Sequence, residues 1–224
     1  MQHYQTVFKD ALPYGIVVGV SLPPDGAAPD EQVLQKLHPD ERIAASAHRG
    51  FRLASFVGGR LAAHGAIQGL GGPFTALHSD TRGAPVPPEG TSLSITHKRR
   101  MAIAIAARSE LGVLGLDLED LEPERPGIAK RILRAEEQER IERLPPERQW
   151  TAIVLRFSIK EAIYKALAPK LQRYIGFEEA SVALHTDGHA NIDLHLTSGP
   201  TPEHIEARFM WMERAVLSTV RVRW

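Results

Sequence analysis

Apolar and polar positions change rhythm several times along the chain. From Tyr14 to Leu22 a β-branched run closed by Pro23-Pro24 predicts a first strand. After a loop over Pro23 to Asp30, apolar residues fall at helical spacing: Val33, Leu34 and Leu37, then Ile43 and Ala47 past Pro39. Phe51 to Leu70 predicts a further helix with Leu53, Phe56, Val57, Leu61 and Ala62 on one side. Gly69 to Gly90 is rich in Gly and Pro and reads as irregular connection. Ser92 to Thr96 alternates as a short strand ending at His97. Met101 to Ala107 and Gly112 to Glu119 give two more, expected to form a hairpin turning near Ser109-Glu110.

The rhythm then repeats. Pro126 to Leu144 predicts one amphipathic helix, with Ile128, Ile132, Leu133 and Ile141 inward and its Arg and Glu side chains on a solvated face. Pro145-Pro146 ends it and opens another, expected to run to about Leu167 and stop at Pro169. Ala180 to Thr186 and Asn191 to Thr197 form a hairpin around Asp187-Gly188-His189, and Ile205 to Trp211 with Val216 to Val222 make a second pair. The outline is an α+β chain of two similar halves, residues 1–110 and 111–224, with no residue-level repeat evident.

Polar residues cluster at a few places in this pattern. The helix Phe157 to Leu167 sets Glu161 and Lys165 four apart on one face, with Lys160 and Tyr164 as a second polar pair beside them. Taken alone, Glu161 and Lys165 fit an ordinary surface ion pair. In the strand before it, Asp117 and Glu119 share one face and Leu116 and Leu118 the other. Two carboxylates side by side repel unless a cation lies between them; the other reading is the outer face of an edge strand. Arg52 and Arg60 ride the helix from Phe51, and Gly58-Gly59 in its interior would let something approach the backbone closely.

Composition narrows the chemistry. Lys+Arg and Asp+Glu balance at 27 each, so no global field draws in nucleic acid or an anionic membrane. There is no cysteine, which excludes thiolate metal sites and cysteine nucleophiles. His185, His189, His195 and His204 show no zinc-ligand spacing. No apolar run is long enough to span a bilayer, and Met1 to Gln5 lacks the basic-then-apolar start of a signal peptide, so a cytoplasmic protein is expected.

Gly115-Leu116-Asp117-Leu118-Glu119 followed by Phe157-Ser158-Ile159-Lys160-Glu161-Ala162-Ile163-Tyr164-Lys165-Ala166 resembles the paired motif of Sfp-type 4′-phosphopantetheinyl transferases, in particular the branch serving siderophore synthetases. Upstream, Pro85-x-x-Pro88-x-Gly90 leading to Ser94-Ile95-Thr96-His97 is similar to that branch's proline-rich loop and His turn, and Arg52 with Gly59-Arg60 to its arginine-bearing helix. Phe177 to Val182 follows the family's phenylalanine-led strand entry, so the likeness spans about Phe51 to Val182. Thr96 stands where the family usually has serine, Leu93 where a glycine is common, and Ala84 where many members place a phosphate-contacting lysine; Arg82 is a candidate substitute.

The resemblance implies the two-halved fold of those transferases. It also implies transfer of 4′-phosphopantetheine from coenzyme A to a serine of an apo acyl or peptidyl carrier protein, releasing 3′,5′-bisphosphoadenosine. Asp117, Glu119 and Glu161 would hold a Mg²⁺, a hard cation that prefers oxygen ligands. Glu161 would take the serine proton, and Lys165 and His97 would contact the pyrophosphate, with Thr96 in the same turn. Lys160 would orient Glu161 or touch phosphate, and Arg52 and Arg60 would take the 3′-phosphate. Arg131 and Arg134 are candidates for the carrier surface. Two similar halves in one chain make a monomer sufficient. A metal-dependent phosphohydrolase, or a domain that binds coenzyme A or carrier without reacting, remain as rival readings.

Overall fold

The structure is a computed structural model that describes residues 3–224. The chain divides into two compact units, Met1–Gly112 and Val113–Trp224. Each lays one long helix on an antiparallel sheet, giving an α+β fold.

In the first unit the β-branched run becomes β2 (Gly15–Ser21), whose Val18 and Val20 are buried. It pairs on one side with β1 (Thr6–Leu12), an edge strand. β1 left no pattern in the sequence because nearly every position is exposed and Lys9-Asp10 interrupts the alternation. On its other side β2 pairs with β4 (Met101–Arg108), which pairs with β3 (Thr91–Lys98), for a sheet order β1-β2-β4-β3. Two short helices, α1 (Glu31–Leu34) and α2 (Pro39–Ser46), lead into α3 (Gly50–Gly69), which packs on β2 and β4. Val33 and Leu37 are buried as their spacing predicts, but Ile43 on α2 is 72% exposed. The glycine pair of α3 admits the sheet rather than a ligand. A Cβ at Gly58 would lie 2.3 Å from Leu22 Cδ2, and one at Gly59 3.1 Å from Ile95 Cγ2.

In the second unit β5 (Val113–Asp120) pairs with β9 (Ala215–Arg223), and the sheet runs on through β8 (His204–Trp211), β7 (His189–Leu194) and β6 (Ala180–Leu184). The hairpin expected between Met101–Ala107 and Gly112–Glu119 therefore does not form. A 3₁₀ turn at Ser109–Leu111 and Gly112 at φ 118° end the first sheet, and β4 hairpins instead with β3. The single helix expected over Pro126 to Leu144 is two, α4 (Ala129–Ile132) and α5 (Ala135–Glu142), parted by extended backbone at Leu133 and Arg134.

The last helix, α6 (Pro146–Leu171), runs through Pro169 and ends on Gln172 in the left-handed region. It covers β5 and β9, burying Ile159, Ala162, Ile163, Ala166 and Leu167 against Val182, Ala207, Val216, Val220 and Val222. Gly115 decides how closely. A Cβ there would fall 1.8 Å from the Ala162 carbonyl oxygen, so α6 rests backbone-on-backbone over β5. Among the described residues no helix is long and apolar enough to cross a membrane.

Candidate active site

The contact at Gly115 brings the two motif halves together. Ser158 Oγ donates to the carbonyl of Asp117 at 3.4 Å, and Lys165 Nζ donates at 2.8 Å both to the Leu116 carbonyl and to Asp117 Oδ1. Residues 158, 161 and 165 recur along one helix face, so Glu161 stands between the two side chains that reach β5. Asp117 and Glu119 are 5% and 4% exposed, which rules out the outer face of an edge strand. Their mutual repulsion is offset by cations from this chain: Lys165 at Asp117, and Arg125 Nη2 at 3.7 Å from Glu119 Oε2. The Glu161/Lys165 pair is accordingly more than a surface ion pair, because Lys165 ties helix to strand.

The donor chemistry of Asp117, Glu119 and Glu161 is all carboxylate oxygen, which suits a hard divalent cation. As placed, they are not drawn into one ligand set: among the described residues no three His, Asp or Glu side chains form a group that could hold a metal. Lys165 engages Oδ1 of Asp117.

Lys160 departs from expectation. It is wholly buried, and its ammonium donates to the Ile132 carbonyl at 2.7 Å, Glu137 Oε2 at 2.6 Å and the Phe177 carbonyl at 3.0 Å. An ammonium has three protons and all three are engaged, so Lys160 neither orients Glu161 directly nor reaches a phosphate. Burial pulls its pKa down, against the opposing pull of Glu137. Nor does it pair with Tyr164, whose ring packs 5.1 Å from that of Phe177 and whose hydroxyl burial holds in its neutral form.

In the first unit the expected cofactor contacts divide in two. Arg52 is exposed near the start of α3, and His97 is exposed at the penultimate position of β3 with its ring 6.0 Å from that of Phe51. Arg60 and Thr96 are buried. Arg60 Nη2 donates to Ser79 Oγ at 3.0 Å, its Nε stands 3.7 Å from Glu41 Oε1, and its guanidinium lies 4.7 Å from the centre of the Phe56 ring. Burial lowers its pKa while Glu41 raises it. Both arginines still act at one place: burial first, and then the charges of Arg52 and Arg60, depress the pKa of His48. Arg82 is exposed on a turn headed by Asp80, whose Oδ1 accepts from the amides of Arg82 and Ala84.

Residues 113–219 match the model of the 4′-phosphopantetheinyl transferase superfamily, and residues 38–107 that of the 4′-phosphopantetheinyl transferase N-terminal domain. The chain is 34% identical over 168 residues to the 4′-phosphopantetheinyl transferase Npt of Nocardia iowensis, covering 70% of each. The chain belongs to the 4′-phosphopantetheinyl transferase family. It is an enzyme of that type, and its similarity extends to enterobactin synthase component D of Salmonella typhimurium, 28% identical over 73% of this chain and 68% of that protein. A solved holo-[acyl-carrier-protein] synthase of Thermotoga maritima aligns with half of the chain and 63% of its own, at 24% identity and TM-score 0.42.

The transferase also has polar residues that its motifs did not reveal. Glu137, third in α5, is 1% exposed rather than solvated. Its carboxylate accepts from the amides of Arg134 and Val182 as well as from Lys160, with Arg156 Nε 3.9 Å away. Glu41, third in α2, is 2% exposed and does the same in the first unit. It accepts from the amides of His38 and Leu77 and is bonded by His64 Nε2, with Arg60 Nε alongside. Burial works to raise the pKa of Glu41, but the hydrogen bond and charge of His64 and the two amides outweigh it and hold it low.

The correspondence is position by position. His38 and Arg134, Glu41 and Glu137, Arg60 and Arg156, and His64 and Lys160 share one offset of 96 residues. A residue-level repeat therefore exists. Its visible trace is Arg60-x-x-x-His64-x-Ala66-Ile67 against Arg156-x-x-x-Lys160-x-Ala162-Ile163. It escapes notice because His replaces Lys and the glutamates lie on separate short helices.

Proposed function

We propose that this enzyme transfers 4′-phosphopantetheine from coenzyme A to a serine of an apo acyl or peptidyl carrier protein, in the cytoplasm and as a monomer, without nucleic-acid or membrane partners. The serine oxygen forms a bond to the phosphorus that bears the pantetheine arm. The bond from that phosphorus to the bridging oxygen breaks, and 3′,5′-bisphosphoadenosine leaves with the electron pair. What carries the reading is the Lys165–Asp117 contact, which joins a carboxylate strand and a Lys/Glu helix in a member of this family.

Asp117, Glu119 and Glu161 are the residues that would hold Mg²⁺, their oxygen donors being the kind it takes. Bound there, the ion would polarise the phosphoryl oxygens and stabilise the departing phosphate. Glu161, a carboxylate on the helix face toward β5, accepts the proton of the attacking serine. Lys165 neutralises charge on the pyrophosphate as a compact ammonium on a flexible stem. His97 and Thr96 bind the pyrophosphate from β3, and Arg52 with Arg60 takes the 3′-phosphate. Arg52 presents the exposed guanidinium of the pair, and Arg60 the one held in place by Ser79 and Glu41. Exposed Arg131 meets the carrier; Arg134, engaged by Glu136, plays the smaller part.

Mass spectrometry of an apo carrier incubated with coenzyme A and Mg²⁺ tests this. A mass gain of one phosphopantetheine is expected, and chelation should remove it. Asp117→Asn and Glu161→Gln should each lower the rate about a thousandfold in folded protein. Phosphate release without a carrier would point to a phosphohydrolase, and coenzyme A binding without turnover to a non-catalytic domain.

A further inference from the structure

We infer that Glu137 and Lys160 are positioning residues: together they fix the rotation of α6 about its own axis, and so set where Glu161 and Lys165 stand against Asp117. The inference rests on the function proposed above. Lys160 precedes Glu161 in sequence, about 100° further round the helix, so whatever holds Lys160 determines where Glu161 points. Its ammonium is bonded to three separate segments: the end of α4 at Ile132, α5 at Glu137, and the turn before β6 at Phe177. Glu137 is pinned in turn by the amides of Arg134 and Val182. On the opposite side Gly115 presses α6 against β5, so the helix is fixed between a strand and a buried ionic clamp.

The first unit provides an internal control. Glu41 and His64 build the same clamp on α3, yet Gly65 and Gly69 occupy the positions of Glu161 and Lys165. A clamp that persists where those two side chains are missing holds a helix in place, and neither Glu41 nor His64 is among the phosphate contacts proposed above. Lys160 therefore does not touch the substrate, even though it sits inside the motif that does.

The test uses the full chain carrying Lys160→Met, Glu137→Gln or Lys160→His, the last importing the residue that α3 uses. Turnover, coenzyme A affinity by calorimetry, and amide hydrogen exchange across α6 are compared with wild type. Lys160→Met and Glu137→Gln should lower kcat at least roughly tenfold, leave KM and Kd for coenzyme A within about twofold, and speed exchange in α6 but not in α3. Lys160→His should recover part of both losses.

A weakened affinity for coenzyme A at unchanged kcat would make Lys160 a cofactor ligand and overturn the inference. So would wild-type kcat and exchange in Glu137→Gln. Should the methionine variant fail to fold, the other two decide the matter. If the wild-type protein loads no carrier, the transferase reading falls by itself, and the exchange data alone judge the clamp: unchanged α6 amides in the variants would sink it.

Discussion

The two units seat a long helix on a sheet by opposite means. In the first, the helix gives way: Gly58, Gly59, Gly65 and Gly69 of α3 face Leu22, Ile95, Val18 and Ile16 at distances that leave no room for a Cβ or only a tight one. In the second, the strand gives way, and Gly115 alone lets α6 settle onto β5. The difference has a chemical consequence. A helix that makes room with its own glycines gives up side chains at those positions, and on α3 these are Gly65 and Gly69. A helix received by a strand glycine keeps its side chains there, and at the corresponding positions α6 carries half-buried Glu161 and Lys165.

The largest effect is expected from Gly115→Ala. The new methyl would meet a carbonyl oxygen of Ala162 at 1.8 Å, backbone that cannot swing aside. A loss on the order of 4 kcal/mol is expected in denaturant melts, with activity lost even in whatever folds. A variant as stable as wild type would mean that α6 does not rest on β5 through this residue.

The clamps offer a second contrast. Breaking one partner of a buried pair costs roughly 3–5 kcal/mol, and the two halves should express that loss differently. Glu41→Gln loosens the mount of the helix bearing Arg52 and Arg60, so it should raise KM for coenzyme A several-fold with kcat little changed. Glu137→Gln should do the reverse. Steady-state kinetics of the two side by side would expose the asymmetry, and identical profiles would erase it.

Much of this was legible in the sequence: the strand holding Asp117 and Glu119, the helix holding Glu161 and Lys165, and their separation. What was not legible shares a physical cause, since it depends on contacts between segments distant in sequence. Lys160 looks like a functional neighbour of Glu161 until Ile132, Glu137 and Phe177 enclose it. Glu137 reads as a solvated residue because an amphipathic pattern does not show that a capping carboxylate is buried by a lysine from another helix. β4 and β5 look like a hairpin because they are adjacent, yet each finds its partners within its own sheet.

A smaller effect concerns the second unit in acid. Glu179, in the turn before β6, has its pKa lowered from 4.5 to about 2, first by its hydrogen bonds to Arg173 and then, against burial, by the amides of Thr197 and Gly176. A depressed carboxylate stabilises above its unfolded pKa and loses that contribution as pH falls through the folded value. Stability of the second unit should therefore decline between about pH 4.5 and 2. Glu179→Gln should flatten that part of a melt-versus-pH curve, and an unaltered curve would remove Glu179 from the account.

Smallest of all should be Gly59→Ala, the first-unit counterpart of the Gly115 change. Its Cβ meets only a side-chain methyl of Ile95 at 3.1 Å, and alanine favours a helix over glycine by about 1 kcal/mol. The two effects should nearly cancel in a thermal melt. A large loss would mean that β3 cannot yield by a few tenths of an ångström.

The offset of 96 residues gives the chain a further property. In a pool of random variants sorted for carrier loading, damage at 41 or 64 would surface as dependence on cofactor supply, curable by feeding more of it. Damage at 137 or 160 would surface as sluggishness that no excess of reagent relieves.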